Sequence, residues 1–244
     1  VGVKSAGIKG TPILPEDYSI VTIETVMDYG DYDPEMPHLY DPGHEEGFPE
    51  EYEPETQLTS YIIGPGVNLD GVNLKDANLT GANLEGVNLT TVDLSGVKSG
   101  DIADGPTLSD EYKIISGYVV GPKVDLSGAD LSGVNLTGMD LTGVNLSNAD
   151  LSGAILTNVT SQGIEGTPSA LPEGYQIVGG FILGPDVNLS GKDLYAVNLS
   201  QADLSNANLK GASGYLLTGN PVLPEGYQIV GGFILGPDVN LSGK

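Results

Sequence analysis

His38 and His44, the only histidines of the chain, stand six residues apart, with Asp41, Glu45 and Glu46 between and beside them. Imidazole and carboxylate together can hold Zn²⁺, and oxygen-rich clusters attract Ca²⁺. These five residues are the candidate metal ligands. They lie in a segment of 37 residues, 22–58, that carries 12 Asp or Glu and no Lys or Arg. The spacing matches neither an EF-hand loop nor a standard zinc motif. Three readings of the segment stay open: a solvated, Pro-pinned acidic loop, a divalent-cation site with Ca²⁺ as the ligand, and a segment that docks a basic or aromatic partner.

Elsewhere catalytic chemistry is hard to assemble. The chain has no Cys and no Arg, and with both histidines in one segment a nucleophile and its base have few ways to meet. Two carboxylates can cut glycosides, but carboxylates are too frequent here to single out a pair. The chain is therefore read as non-enzymatic, with no catalytic residue and no bound cofactor.

Its formal charge of −24, with nine lysines as the only fixed cations, repels phosphate backbones and anionic lipid alike. Direct nucleic-acid binding is not expected. No apolar run reaches the length of about 20 residues that spans a bilayer, so membrane insertion is not expected either. A lack of Cys excludes a disulfide framework without naming a compartment.

The elements that would position any site are set by a period of five. From Val67 the chain reads VNLDG VNLKD ANLTG ANLEG VNLTT VDLSG, with Leu69, Leu74, Leu79, Leu84, Leu89 and Leu94 in register. A second run holds Leu126, Leu131, Leu136, Leu141, Leu146, Leu151 and Leu156, and a third Leu189, Leu194, Leu199, Leu204 and Leu209. On an α-helix a residue every five positions drifts around the axis, and on a flat strand it alternates faces. Bending the chain between pentads keeps each Leu, and the Ala or Val two positions before it, on the inside. Stacked coils about 4.8 Å apart then pair their backbones, with Gly and Asn at corners where positive φ is tolerated. The leucines are the expected structural core.

The pattern A(D/N)LxG, seen as ANLTG, ADLSG and ADLSN, resembles the pentapeptide-repeat family. That resemblance implies an all-β fold, a right-handed quadrilateral β-helix solenoid with four pentads per coil. It says little about function, because members of the family do different things.

Between runs stands a connector, LPEGYQIVGGFILGP at 171–185 and 223–237 and LSDEYKIISGYVVGP at 108–122. Its β-branched and aromatic residues around a Gly pair predict two short strands joined by a turn. From the opening Leu of a connector to the first pentad Leu is 18 residues, as from Leu171 to Leu189. The first connector, begun by LPEDYSIV at Leu14, takes 55 residues to Leu69, which places the acidic segment as an insertion within it. Each connector is expected to continue the coil while throwing out a loop around GTPSALPEG or TGNPVLPEG. Tyr18, Tyr112, Tyr175 and Tyr227 share one connector position and could line up on one side, either packing loops onto the coil wall or forming a stacking ladder for sugars.

One continuous solenoid, 1–244, is expected, in units of about 1–97, 98–159, 160–212 and 213–244, the last incomplete. GVKSAGIKGTP at the start matches GVKSGDIADGP at 96–106, and the identity of 171–192 with 223–244 sets Lys244 at the start of a run. Both ends read as cuts through a longer array or as surfaces that stack copies end to end. Asn-x-Ser/Thr triplets at Asn78, Asn88, Asn135, Asn145, Asn158, Asn188, Asn198 and Asn240 satisfy the glycosylation sequon, but the repeat code itself generates nearly all of them.

The function expected is a structural, scaffolding or adhesive module of an extracellular, fibre-forming or virion-associated protein, whose partners are other chains or further copies of itself. One alternative comes from the resemblance: some family members protect DNA gyrase by imitating duplex DNA, which would place the chain in the cytoplasm as a topoisomerase inhibitor or protector. Another is calcium-dependent binding.

Overall fold

The computed structural model describes residues 14, 17–26, 56–102 and 105–241. Among them there is no helix, and the chain is all-β. In each pentad the Leu carbonyl accepts from the N–H three residues on, as from Val72 to Leu69 at 2.9 Å. In all but the turns at Leu89 and Leu204 the third residue takes positive φ, 70° at Gly71, as a type II corner requires. The Asn or Asp before the Leu holds the corner from outside. Its Oδ1 accepts from the N–H two residues on, as from Thr80 to Asn78 at 3.0 Å and from Ser152 to Asp150 at 2.8 Å.

Parallel bridges then join residues 20 apart, Asp125↔Asn145, Asp130↔Asp150, Asn135↔Ile155 and Asp140↔Thr160. One turn of the chain therefore takes four pentads, and backbone groups of one turn pair with those of the next, Leu126 N–H to Asn145 O at 2.9 Å and Asn145 N–H to Val124 O at 3.1 Å. Stacking buries the inward positions. All eighteen pentad leucines are 0–2% exposed, and the Ala, Val or Met two residues earlier lies in or against the same core, except before Leu194, where Lys192 takes that place. Each such Leu contributes about 1.5–3 kcal/mol of burial. Leu241, which opens the last pentad, is 51% exposed.

The connectors are antiparallel hairpins. β1 (Ser19–Val26) pairs with β2 (Thr56–Ile63), β3 (Lys113–Ile115) with β4 (Tyr118–Val120), β5 (Gln176–Val178) with β6 (Phe181–Leu183), and β7 (Gln228–Val230) with β8 (Phe233–Leu235). Ser19↔Ile63 and Val21↔Tyr61 are the counterparts of Gln176↔Leu183 and Val178↔Phe181. The inserted segment thus replaces the Gly179–Gly180 turn, and its two ends, 22–26 and 56–58, lengthen the hairpin.

A connector adds seven or eight residues to a turn, so that across it the bridges become Lys98↔Asp125 and Thr160↔Asn188. The docking point is a buried serine, Ser99 or Ser161, which stands where the period calls for the next Leu. Its Oγ accepts the N–H of Val119 or Ile182 at 2.8 Å. In the last connector the same place is Gly214, whose carbonyl accepts from Ile234 at 3.3 Å.

Two expectations need correction. The stretches GTPSALPEG and TGNPVLPEG are not thrown out as loops: Ala170 bridges Asp150, Val222 bridges Asp203, and Ser169 N–H donates to Ala149 O. Pro lacks an N–H, but its neighbours keep the ladder, so residues 166–170 and 218–222 remain in the wall. Nor do the connector tyrosines line up on one side, because their hairpins dock on different columns. Ser99 belongs to the column Lys98–Asp125–Asn145–Glu165, whereas Ser161 follows Thr160 in the adjacent column of Asp140 and Asn188.

Candidate interaction surface

His38, Asp41, His44, Glu45 and Glu46 lie outside the described residues. Among the described residues no group of three or more His, Cys, Asp or Glu could hold a metal ion, and no helix is long and apolar enough to cross a membrane.

The outward Asn and Asp side chains are committed to their own corners, which is visible in their chemistry. Hydrogen bonds from the Ser95 backbone and hydroxyl hold the Asp93 carboxyl below its ordinary value of 3.8. The Ser132 hydroxyl and then its backbone do the same for Asp130, with Ser132 Oγ donating at 2.6 Å.

The connector tyrosines form clamps. Each ring fills the space that a Cβ would need on the glycine closing its connector, Tyr18 at Gly64, Tyr112 at Gly121, Tyr175 at Gly184 and Tyr227 at Gly236. Each hydroxyl donates to the next carbonyl, that of Pro65, Pro122, Pro185 or Pro237, at 3.3, 3.3, 2.8 and 2.8 Å respectively. Burial, and then the nearby carboxylates, push the Tyr112 and Tyr175 hydroxyls above the ordinary phenol value. These rings tie the base of a hairpin and are not a ladder. The signal for them in the sequence is a Tyr followed nine residues later by Gly-Pro, which recurs in three connectors.

A different set of aromatics does stack. Tyr195 and Tyr215, twenty residues apart and one turn above the other, have ring centroids 4.6 Å apart at 51°. Tyr215 and Phe233 of β8 are 6.1 Å apart at 21°. Tyr195 is 51% exposed and the adjoining Leu216 is 57% exposed. Burial, then the charge and hydrogen bond of Tyr195, raise the Tyr215 hydroxyl. A shallow open groove of about 580 Å³, lined by Asp76, Lys123, Asp125, Asn145 and Glu165 among others, lies lower on the stack.

The family model for pentapeptide repeats matches the chain in 8 copies, over residues 66–96, 123–158 and 186–213. Among solved structures, the chain is similar to HetL, a pentapeptide repeat protein involved in heterocyst differentiation regulation from the cyanobacterium Nostoc sp. strain PCC 7120. Identity is 25% over 66% of this chain and 61% of HetL, less than two thirds of HetL's length, with a TM-score of 0.21. QnrB1, a plasmid-mediated fluoroquinolone resistance protein, is 15% identical over 73% of this chain and 90% of its own, with a TM-score of 0.22. Comparison with curated protein sequences gives no match. With a period of five, twenty residues to the turn and the family model placed on all three leucine runs, the chain is a pentapeptide-repeat protein.

Proposed function

We propose that the stack is a right-handed quadrilateral β-helix that serves as a non-enzymatic scaffold or adhesive module, displayed outside the cell, on a fibre or on a virion. The observation that supports it most is the use made of the outward polar groups. From Asn68 to Asp150 every Asn or Asp that precedes a pentad Leu spends its Oδ1 on its own corner, so the wall is built to be rigid and repetitive. What it offers to others is an apolar strip in which Tyr195 and Leu216 are exposed and Tyr215 and Phe233 half-buried. The test is size and adhesion: the purified chain is expected to bind protein partners or surfaces, and a small monodisperse particle that binds none of them defeats the reading.

The charge of −24 favours a second reading, a DNA-mimicking protector or inhibitor of a topoisomerase such as gyrase. Hairpins docked on two different columns interrupt any smooth acidic face, which weighs against it. A supercoiling assay at micromolar protein decides: no change in gyrase activity removes this reading. Calcium-dependent binding, carried by the acidic insertion, is tested by melting with Ca²⁺ and then with chelator, since a ligand selective for the folded state raises its stability. An unchanged curve ends that proposal.

A further inference from the structure

The strip at Tyr195, Tyr215 and Phe233 departs from the rule that builds the rest of the wall. In the pentads the residue after the Leu is usually Ser, Thr, Lys, Asp or Glu, and the next is usually Gly at positive φ. At one corner of two successive turns these places hold Tyr195 with Ala196 and Tyr215 with Leu216. Ala196 and Leu216 take φ of 56° and 57°, a conformation that side chains with a Cβ disfavour. Nothing in the corner's hydrogen bonding asks for an aromatic ring or a branched aliphatic side chain there. The equivalent place beside the other connectors holds Gly100 with Asp101 and Gln162 with Gly163. Positive φ is taken by polar residues at other corners, Asp76, Asn148 and Gln201 among them; among the described residues only Ala196 and Leu216 take it with an apolar side chain, and Tyr195 and Leu216 are exposed beside it.

We propose that the strip of Tyr195, Tyr215 and Phe233, edged by Leu216, docks a cationic segment of a partner protein, with Arg or Lys side chains laid over the ring faces. The occupant follows from charge. Aromatic faces attract cations, most of all guanidinium, and the rings sit on a chain of net charge −24. Asp193 is exposed two residues before Tyr195, and Glu165 is the exposed carboxylate of the preceding turn on that side. An acidic partner, including another copy of this face, would be repelled. This inference deepens the scaffold reading by naming the chemistry of a partner, and the scaffold reading survives its failure.

The test uses the full chain and a 12-residue Arg-Gly-Ser peptide, its citrulline counterpart, and cello- and chito-oligosaccharides as neutral probes, at about 0.15 M salt, where exposed charges beyond about 8 Å are screened. The chain has no Trp, so tyrosine fluorescence and the Tyr ring resonances report directly. The Arg peptide is expected to shift the Tyr195 and Tyr215 rings, and the citrulline peptide to bind about tenfold more weakly. Tyr195→Ser with Tyr215→Ser is expected to lose about tenfold in affinity, and Tyr195→Phe with Tyr215→Phe to keep it, because the ring face and not the hydroxyl makes the contact. Asp70→Asn with Asp110→Asn, two charges removed away from the strip, controls for bulk attraction and is expected to bind as the parent does. Equal affinity of the Ser pair and the parent overturns the proposal. So does a shift of the same rings by oligosaccharide with none by the Arg peptide. Melting curves identify any variant that is unfolded; should the Ser pair be so, Tyr195→Ser alone and the citrulline comparison carry the decision.

Discussion

At the scale of single residues, Asn and Asp are interchangeable before the pentad Leu because both present the same Oδ1 to the same N–H. They differ in their response to acid. The Asp93 and Asp130 carboxyls are held below 3.8 by the hydrogen bonds they accept. A lowered folded value stabilises the fold above the ordinary carboxyl value, and that contribution is lost as pH falls through the folded value. Asp130→Asn is therefore expected to leave the melting temperature at pH 7 unchanged and to flatten its fall below about pH 4. Steeper acid loss in the variant contradicts this. Glycine splits into two roles. Gly128 has φ of 71° and open space around it, so Gly128→Ala costs only backbone strain of about 1–2 kcal/mol. Gly184 is filled by the Tyr175 ring, so Gly184→Ala must expel that ring and costs about 1–3 kcal/mol or more, read by denaturant unfolding. Tyr175→Phe keeps the ring and loses one hydrogen bond, about 1 kcal/mol. The leucine period was legible because Leu is the side chain that burial selects most plainly. The clamp was not, because a tyrosine nine residues before a glycine matters only once a hairpin folds one onto the other.

At the scale of elements, every connector hairpin is held by strand pairing and by the tyrosine clamp at its base, and the two hairpins of β3–β4 and β5–β6 also by a serine beneath them. Ser161 is 1% exposed, and its Oγ is the acceptor for the Ile182 N–H. Ser161→Ala leaves that N–H buried without an acceptor and is expected to cost about 1–3 kcal/mol. Ser161→Gly is the informative companion, since Gly214 fills the same place under the last hairpin and supplies a carbonyl instead. If the fold can adjust as it does there, the Gly variant is the milder of the two, and hydrogen exchange at Ile182 tells them apart. The hairpins themselves were readable from β-branched and aromatic residues around Gly179 and Gly180. Their docking was hidden, because Ser99 and Ser161 look like ordinary outward serines until the count of five from Leu94 and Leu156 puts them inside. GTPSALPEG misled for the opposite reason: its Gly and Pro residues signal a loop, while Ala170 quietly continues the ladder.

At the scale of the whole molecule, register is counted in turns. Bridges at 20 residues mean that removing 131–150 deletes one turn and returns every later pentad to its own column. Removing only 131–140 puts each later connector on the opposite side of the stack and breaks its match to the residues below. The first deletion is expected to melt cooperatively within a few degrees of the parent. The second is expected to lose cooperativity, as read by circular dichroism. Equal behaviour of the two would show that the columns do not control folding. The aromatic strip belongs to this scale too. Tyr195 and Tyr215 meet only because twenty residues make a turn, so their partnership is invisible to any reading that stays within a pentad.

The first hairpin shows how such a molecule can acquire new parts. Its basal pairs, Ser19↔Ile63 through Val21↔Tyr61, repeat those of the short hairpins, while everything beyond them is extra. Growth at a hairpin tip is sideways and leaves the vertical count untouched, so foreign sequence grafted between Val178 and Phe181 should be carried as cargo, with the pillar beneath it unchanged.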